Sequence, residues 1–185
     1  MNRISSRCRW FAIPAMLGLL VASATTTQAA EATDADRVTV NWTDPAQFTE
    51  VRYSHAFGQP KPETWLEAMR KTVVQRADKL LKPGQHLDVT FTDVKLAGQY
   101  EPWRGPAYRD VRVVRDMYPP RIDLRFSLTD ANGTVIASGE RKLRDPAFLS
   151  RSTPNGSDSY RFEKSLLKDW LVREFGADES SAARK

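Results

Sequence analysis

Ile122, Leu124, Phe126 and Leu128 alternate without a break with Asp123, Arg125 and Ser127, and this run most limits what the chain can become. Side chains leave a β-strand on alternate faces, so a strict period of two gives one strand an apolar face and a polar face. Asp130-Ala131-Asn132-Gly133 follows, a loop whose Asn and Gly tolerate the positive φ that hairpins need. Residues 135–143 read as the returning strand, with Gly139 expected to mark a bulge in it. Upstream, residues 111–117 also alternate, and Tyr118-Pro119-Pro120 separates the two runs. The whole stretch 111–128 therefore reads as the centre of a sheet, carrying Arg112, Arg115, Arg121 and Arg125.

The remaining elements follow from their own periods. Val38-Thr39-Val40-Asn41-Trp42 alternates as a half-buried strand, and Thr43-Asp44-Pro45 ends it, because proline disfavours the helical region for the residue before it. Residues 48–53 read as a short second strand. From Pro62, which suits a first helical turn, Trp65, Met69, Val73, Ala77 and Leu80 form one helical stripe with Leu66 beside it. Glu67 with Lys71, and Asp78 with Lys82, are acid-to-base pairs on the wet side, and Lys82-Pro83-Gly84 stops the helix. Residues 87–92 return to a period of two, then Asp93-Val94 fall out of phase, which points to a bulge or a strand end. Residues 98–109 hold two glycines and two prolines with no period and read as a loop rich in aromatics. Residues 151–159 are a polar connector. Residues 160–175 form a helix with Leu166, Leu167, Trp170 and Leu171 on one arc, and Gly176 ends it. The sum is an α+β architecture: a mainly antiparallel sheet of four to five strands with two helices packed on one face, in the order strand, helix, strands, helix.

The N-terminus supplies an address. Arg3, Arg7 and Arg9 precede an apolar run over residues 11–24 that is too short for a permanent membrane span, and Thr27-Gln28-Ala29 provides small residues for a signal peptidase. Cleavage is expected after Ala29, giving a signal peptide over 1–29, a flexible lead over 30–37, one domain over 38–176 and a disordered tail over 177–185. Export to the periplasm of a Gram-negative cell, or beyond it, is the expected location, and no later run is apolar enough to span a membrane. Cys8 is the only cysteine and lies within the leader, so the mature chain would have no disulfide framework, no thiolate metal site and no cysteine nucleophile. The leader also holds three of the 28 Lys and Arg and none of the 23 Asp and Glu, leaving 25 bases against 23 acids. So even a balance gives no concentrated basic surface, and nucleic acid is not an expected partner.

Motifs for catalysis are absent: no nucleophile elbow, no zinc-protease helix, no phosphate-binding loop and no dinucleotide fingerprint. His55 and His86 lack companions at ligand spacing and read as surface histidines, so no metal and no cofactor is expected. The best binding candidate is an arginine and aromatic cluster of Tyr100, Trp103, Arg104, Tyr108, Arg109, Arg112, Arg121 and Arg125, since guanidinium forks suit carboxylates and phosphates. The plainer alternative is that Arg121 and Arg125 make ordinary cross-strand pairs on a solvated face. Glu163 falls in the middle of the apolar arc of the last helix; it either pairs with an arginine of the sheet or reaches water from the first turn, where the helix dipole favours it. Asp88, Asp93, Glu101 and Glu163 are the only carboxylates from which a glycosidase-like pair, about 5 to 10 Å apart, could be drawn.

The ordered set VTVNWTDPAQFTEVR, LAG at residues 96–98, PPRIDLRFSL, LRDPAFL and FEKSLLKDWLVREF resembles the DUF3016 family of exported proteobacterial proteins. Phe48-Thr49-Glu50 stands where that family is expected to have tyrosine, any residue and aspartate. The resemblance implies export and the domain limits; the family has no assigned activity, so it implies no functional residues. Three readings stand at this point. The first is a non-enzymatic periplasmic module that binds or scaffolds an envelope protein or an anionic envelope component, with the sheet and residues 98–109 as contact surface. The others are a carboxylate-dependent hydrolase of an envelope polymer and a purely structural subunit of an envelope complex.

Overall fold

The computed structural model describes residues 37–53, 59–150 and 157–176, all within one compact unit, residues 32–185. The chain passes through β1 (Val38–Trp42), α1 (Thr49–Tyr53), α2 (Pro62–Ala77), β2 (His86–Lys95), β3 (Gln99–Tyr100), β4 (Arg112–Val113), β5 (Arg121–Thr129), β6 (Val135–Arg144) and α3 (Arg161–Phe175). The architecture is α+β in the expected element order. The main sheet has four strands in the order β1-β2-β5-β6. β1 lies parallel to β2, from Val38 opposite Leu87 to Trp42 opposite Phe91, because α2 carries the chain back between them. The other two pairings are antiparallel.

Period-two alternation places Ile122, Leu124, Phe126 and Leu128 on the buried side, with Leu87, Val89 and Phe91 beside them. α2 and α3 cover this side, α2 against β1 and α3 against β6. α2 inserts Trp65, Leu66, Met69, Val73 and Ala77, and α3 inserts Leu166, Leu167, Trp170 and Leu171. Phe126, Trp170 and Phe175 meet edge to face, with centroids 5.7 to 5.9 Å apart. Emptying such a site, as in Trp170→Ala, costs about 3–5 kcal/mol.

Several expectations are corrected. Of residues 111–117, only Arg112–Val113 is a strand, and it pairs with Gln99–Tyr100 in a separate two-stranded sheet. A turn in which the Tyr118 N–H donates to the Arg115 carbonyl at 2.9 Å takes the chain away before it can join the main sheet. Residues 48–53 are not a strand: Asp44 Oδ1 accepts the Ala46 N–H at 3.0 Å, a 3-10 turn follows over Pro45–Gln47, and α1 begins at Thr49. Phe48 and Val51, both packed on the core, stand three apart, which is helical spacing too short to register as a period. Gly139 is not a bulge but sits in register opposite Phe126. A Cβ there would stand 2.8 Å from Arg141 Nη1, so the glycine clears space for that guanidinium, 4.9 Å over the Phe126 ring and forked onto Glu174 at 2.9 and 2.5 Å. α2 ends at Ala77, earlier than expected, and Asp78 takes the guanidinium of Arg37. The bulge expected near Asp93 is present, as a register shift between Phe91 and Asp93.

Candidate functional site

β2 ends at Lys95, and Leu96-Ala97-Gly98 continues through the interior with no ladder to join. Buried backbone groups need partners, and here side chains supply most of them. The Leu96 N–H donates to Glu50 Oε2 at 3.0 Å, the Ala97 N–H to Glu163 Oε1 at 2.6 Å and the Gly98 N–H to the Tyr118 carbonyl at 2.9 Å. In return, Lys95 Nζ donates to the carbonyls of Leu96 at 3.2 Å and Gly98 at 3.0 Å. Arg112 Nη1 donates to the carbonyls of Ala97 at 3.2 Å and Gly98 at 3.4 Å. Glu50 closes the arrangement by pairing with Lys95 Nζ at 3.0 Å and with Arg112 Nη2. Two carboxylates and two cations, one each from α1, α3, β2 and β4, thus surround three residues of backbone. Gly98 is required there: its φ is +84°, and a Cβ would stand 2.8 Å from the Val113 carbonyl oxygen. Phe148 and Phe162, edge to face at 4.8 Å, form a small apolar cluster with Ala97, and the Tyr100 ring lies 4.8 Å from the Arg112 guanidinium.

The charges are not shifted alike. Burial works to raise the Glu50 carboxyl, but Lys95 and Arg112 outweigh it and hold it below the usual carboxylate range. Lys95 is pulled down by burial, and the like charge of Arg112 adds to the effect against the pull of Glu50 and Glu163. Burial pushes the Glu163 carboxyl up, against its bond to Ala97. Glu163 is buried, as its place in the apolar arc implies, at only 1% exposed, and so does not reach water. It makes no salt bridge with an arginine: the Arg112 charge acts on it, but its hydrogen-bond partner is the Ala97 N–H, and its Oε2 is buried without a hydrogen-bond partner among the described residues.

A second buried carboxylate, Glu101, organises the loop that follows. It accepts the Tyr118 hydroxyl at 3.0 Å and Arg104 Nη1 at 3.3 Å, with Arg115 Nη2 at 3.7 Å. Two short 3-10 turns, Pro102–Arg104 and Pro106–Tyr108, then carry Trp103 out to 69% exposure. Met117 is 64% exposed, and Tyr108, Val111 and Val114 are exposed as well. Arg104 also lies 5.1 Å from the Tyr108 ring.

The predicted cluster therefore divides into four. Tyr100 and Arg112 belong to the buried node; Trp103, Arg104, Tyr108 and Arg109 share the loop, with Arg109 exposed. Arg121 lies at the strand end, where its Nη2 donates to Thr49 Oγ1 at 2.9 Å and Asp93 Oδ2 at 3.2 Å. Arg125 is exposed on the open face of the sheet, opposite Glu140 in register. Of the carboxylate pool, Asp93 accepts the N–H and hydroxyl of Thr49 at 2.6 Å each, Glu101 and Glu163 are engaged as above, and Asp88 is exposed on β2. His86 is exposed and His55 lies outside the described residues. Among the described residues, no group of three or more His, Cys, Asp or Glu is placed to hold a metal, and no helix is long and apolar enough to cross a membrane. Sequence reasoning missed Glu50 and Lys95; the signals were the acidic position two after Phe48 and the lysine immediately before the LAG that Glu50 binds.

The fold and the node define a class: a sheet covered by two helices and tied at one end by buried charges on irregular backbone. The family described as protein of unknown function (DUF3016) matches residues 36–173, and the chain belongs to it. A search of curated proteins finds no match. Among solved structures, a PelC dodecamer from Paraburkholderia phytofirmans is 13% identical, with a TM-score of 0.31, over 74% of this chain and 83% of that one. A likeness at that level carries no argument about function.

Proposed function

We propose that the protein is an exported, non-enzymatic module of the cell envelope that docks a partner protein on residues 101–117. The observation that carries this reading is Trp103, 69% exposed on a loop held from beneath by the buried Glu101. Exposed apolar groups in one patch mark interaction sites, and tryptophan is prominent among residues that dominate binding energy. A loop already ordered by buried bonds has less freedom to lose on docking than a floppy one. Arg109 is exposed on the same loop, so an acidic group on the partner complements it. Export is supported by the basic, apolar and small-residue sequence of residues 1–29.

A photo-crosslinking residue at position 103, in cells, is expected to give a discrete protein adduct, while one at Ser138, exposed on the open face of the sheet, gives none. Trp103→Ser combined with Arg109→Glu and Met117→Ser is expected to keep the thermal midpoint and abolish capture by a crosslinker at position 114. Arg104 is left in place because it holds Glu101. Equal crosslinking from positions 103 and 138, or capture that survives the triple variant, removes the reading. For export, N-terminal sequencing of the periplasmic protein should begin at Ala30, and retention in the cytoplasm would contradict it.

A further inference from the structure

Lys95, Arg121 and Arg144 stand side by side on three adjacent strands, Lys95 in register with Arg121 and Arg121 with Arg144. Like charges facing one another across a ladder repel, so each needs compensation. Lys95 has Glu50, which it shares with Arg112, and Arg121 has Asp93. Arg144 is exposed with no side-chain partner among the described residues, and Arg121 engages Asp93 and Thr49 through Nη2 alone. The adjacent row, Val94, Ile122 and Leu143, is apolar, and the next row on the same face holds Asp93, Asp123 and Lys142, so three cations with no acid among them occur together only in the end row.

Met117, Tyr118, Pro119 and Pro120 pass beside this row and line with it an open cavity of about 200 Å³. Its walls are already fixed: the Tyr118 hydroxyl is held by Glu101, Lys95 by Glu50 and two carbonyls, and both prolines have a locked φ. The volume falls below the roughly 300–1,000 Å³ of sites for drug-sized ligands, which suits a group of one ring or less. We propose that this cavity binds an oxyanion, a carboxylate or a phosphate, carried on a compact apolar body. Arg144 and the remaining face of Arg121 meet the anion, and the Tyr118 ring and the prolines meet the body. The site shares Met117 with the docking loop but rests on Arg121 and Arg144, so a variant at either of those tests it separately from the docking reading.

The test is an NMR titration of the mature chain with phenyl phosphate, benzoate, inorganic phosphate and the neutral benzyl alcohol. Phenyl phosphate and benzoate should saturate shifts at Met117, Arg121 and Arg144, inorganic phosphate should bind more weakly, and benzyl alcohol should leave them unmoved. Arg144→Gln, at an exposed position, should keep the thermal midpoint and weaken both ring anions about tenfold, as expected for loss of a charged hydrogen bond. Arg144→Lys should recover part of that loss, and Trp103→Ser should bind as the parent does. Shifts that fail to saturate, shifts of similar size at Arg76, Lys79 and Lys168 in the groove between the helices, or an unchanged Arg144→Gln would overturn the proposal.

Discussion

Gly98 has no room for a side chain and no ordinary conformation to offer one. With φ at +84° and the Val113 carbonyl 2.8 Å from where a Cβ would stand, Gly98→Ala must strain the backbone or move β4. A loss of about 1–3 kcal/mol in urea denaturation is expected; unchanged stability would show that the segment relaxes freely. Glu163 makes the opposite kind of prediction. A carboxyl whose pKa is raised by folding adds stability below its unfolded value, and that stability is lost as pH climbs through the raised folded value. Glu163→Gln keeps an oxygen for the Ala97 N–H and removes that titration. Stability curves of the two proteins should therefore diverge in favour of the variant as pH rises above the ordinary glutamate value of 4.5. Parallel curves would mean that the carboxyl titrates alike in the folded and unfolded chain. The residue was visible in the sequence because it interrupts an apolar arc. Its partner was not, because a backbone N–H leaves no trace in side-chain patterning.

Among the elements, β5, α2 and α3 were legible because each repeats its period several times. α1 and β4 were not, since five residues and two residues cannot establish one, and each is held by a distant contact. Glu50 on α1 meets Arg112 on β4, 62 positions along the chain. Glu50→Gln would leave Lys95 and Arg112 buried without their carboxylate, and removing one partner from such a pair costs about 3–5 kcal/mol. The folded value of Glu50 is lowered, so its contribution is present above 4.5 and is lost as pH falls through the lowered value. Chemical denaturation at neutral pH should show the full deficit, and the gap to the parent should narrow in acid. A deficit that is the same at every pH would assign the effect to packing instead. The arginine cluster read as one unit for a related reason. Adjacent residues in a loop and alternate residues in a strand look equally close in sequence, whereas the structure sends Arg112 inward, Arg109 outward and Arg125 to the open face of the sheet.

At the scale of the molecule, four of the five stretches that carry the family resemblance converge on one place, while PPRIDLRFSL supplies the central strand. VTVNWTDPAQFTEVR provides Glu50, LAG is the crossing itself, LRDPAFL contributes Phe148 and the final helix contributes Phe162 and Glu163. The exposed loop bearing Trp103 belongs to none of these stretches, which separates the machinery that holds the fold from the surface proposed to act. This order of assembly also has a temporal side. The acceptor for the Ala97 N–H lies 66 positions downstream, so a chain ending at Ser159 lacks both that carboxylate and the helix that inserts Trp170 into the core. Such a truncation is expected to be degraded rapidly by added protease, and a resistant fragment would contradict it. For a polypeptide that threads through a translocase N-terminus first, as the export reading requires, the closing piece is among the last to arrive. The protein would then stay extended enough to pass until its C-terminal helix emerges, and lock only on the far side of the membrane.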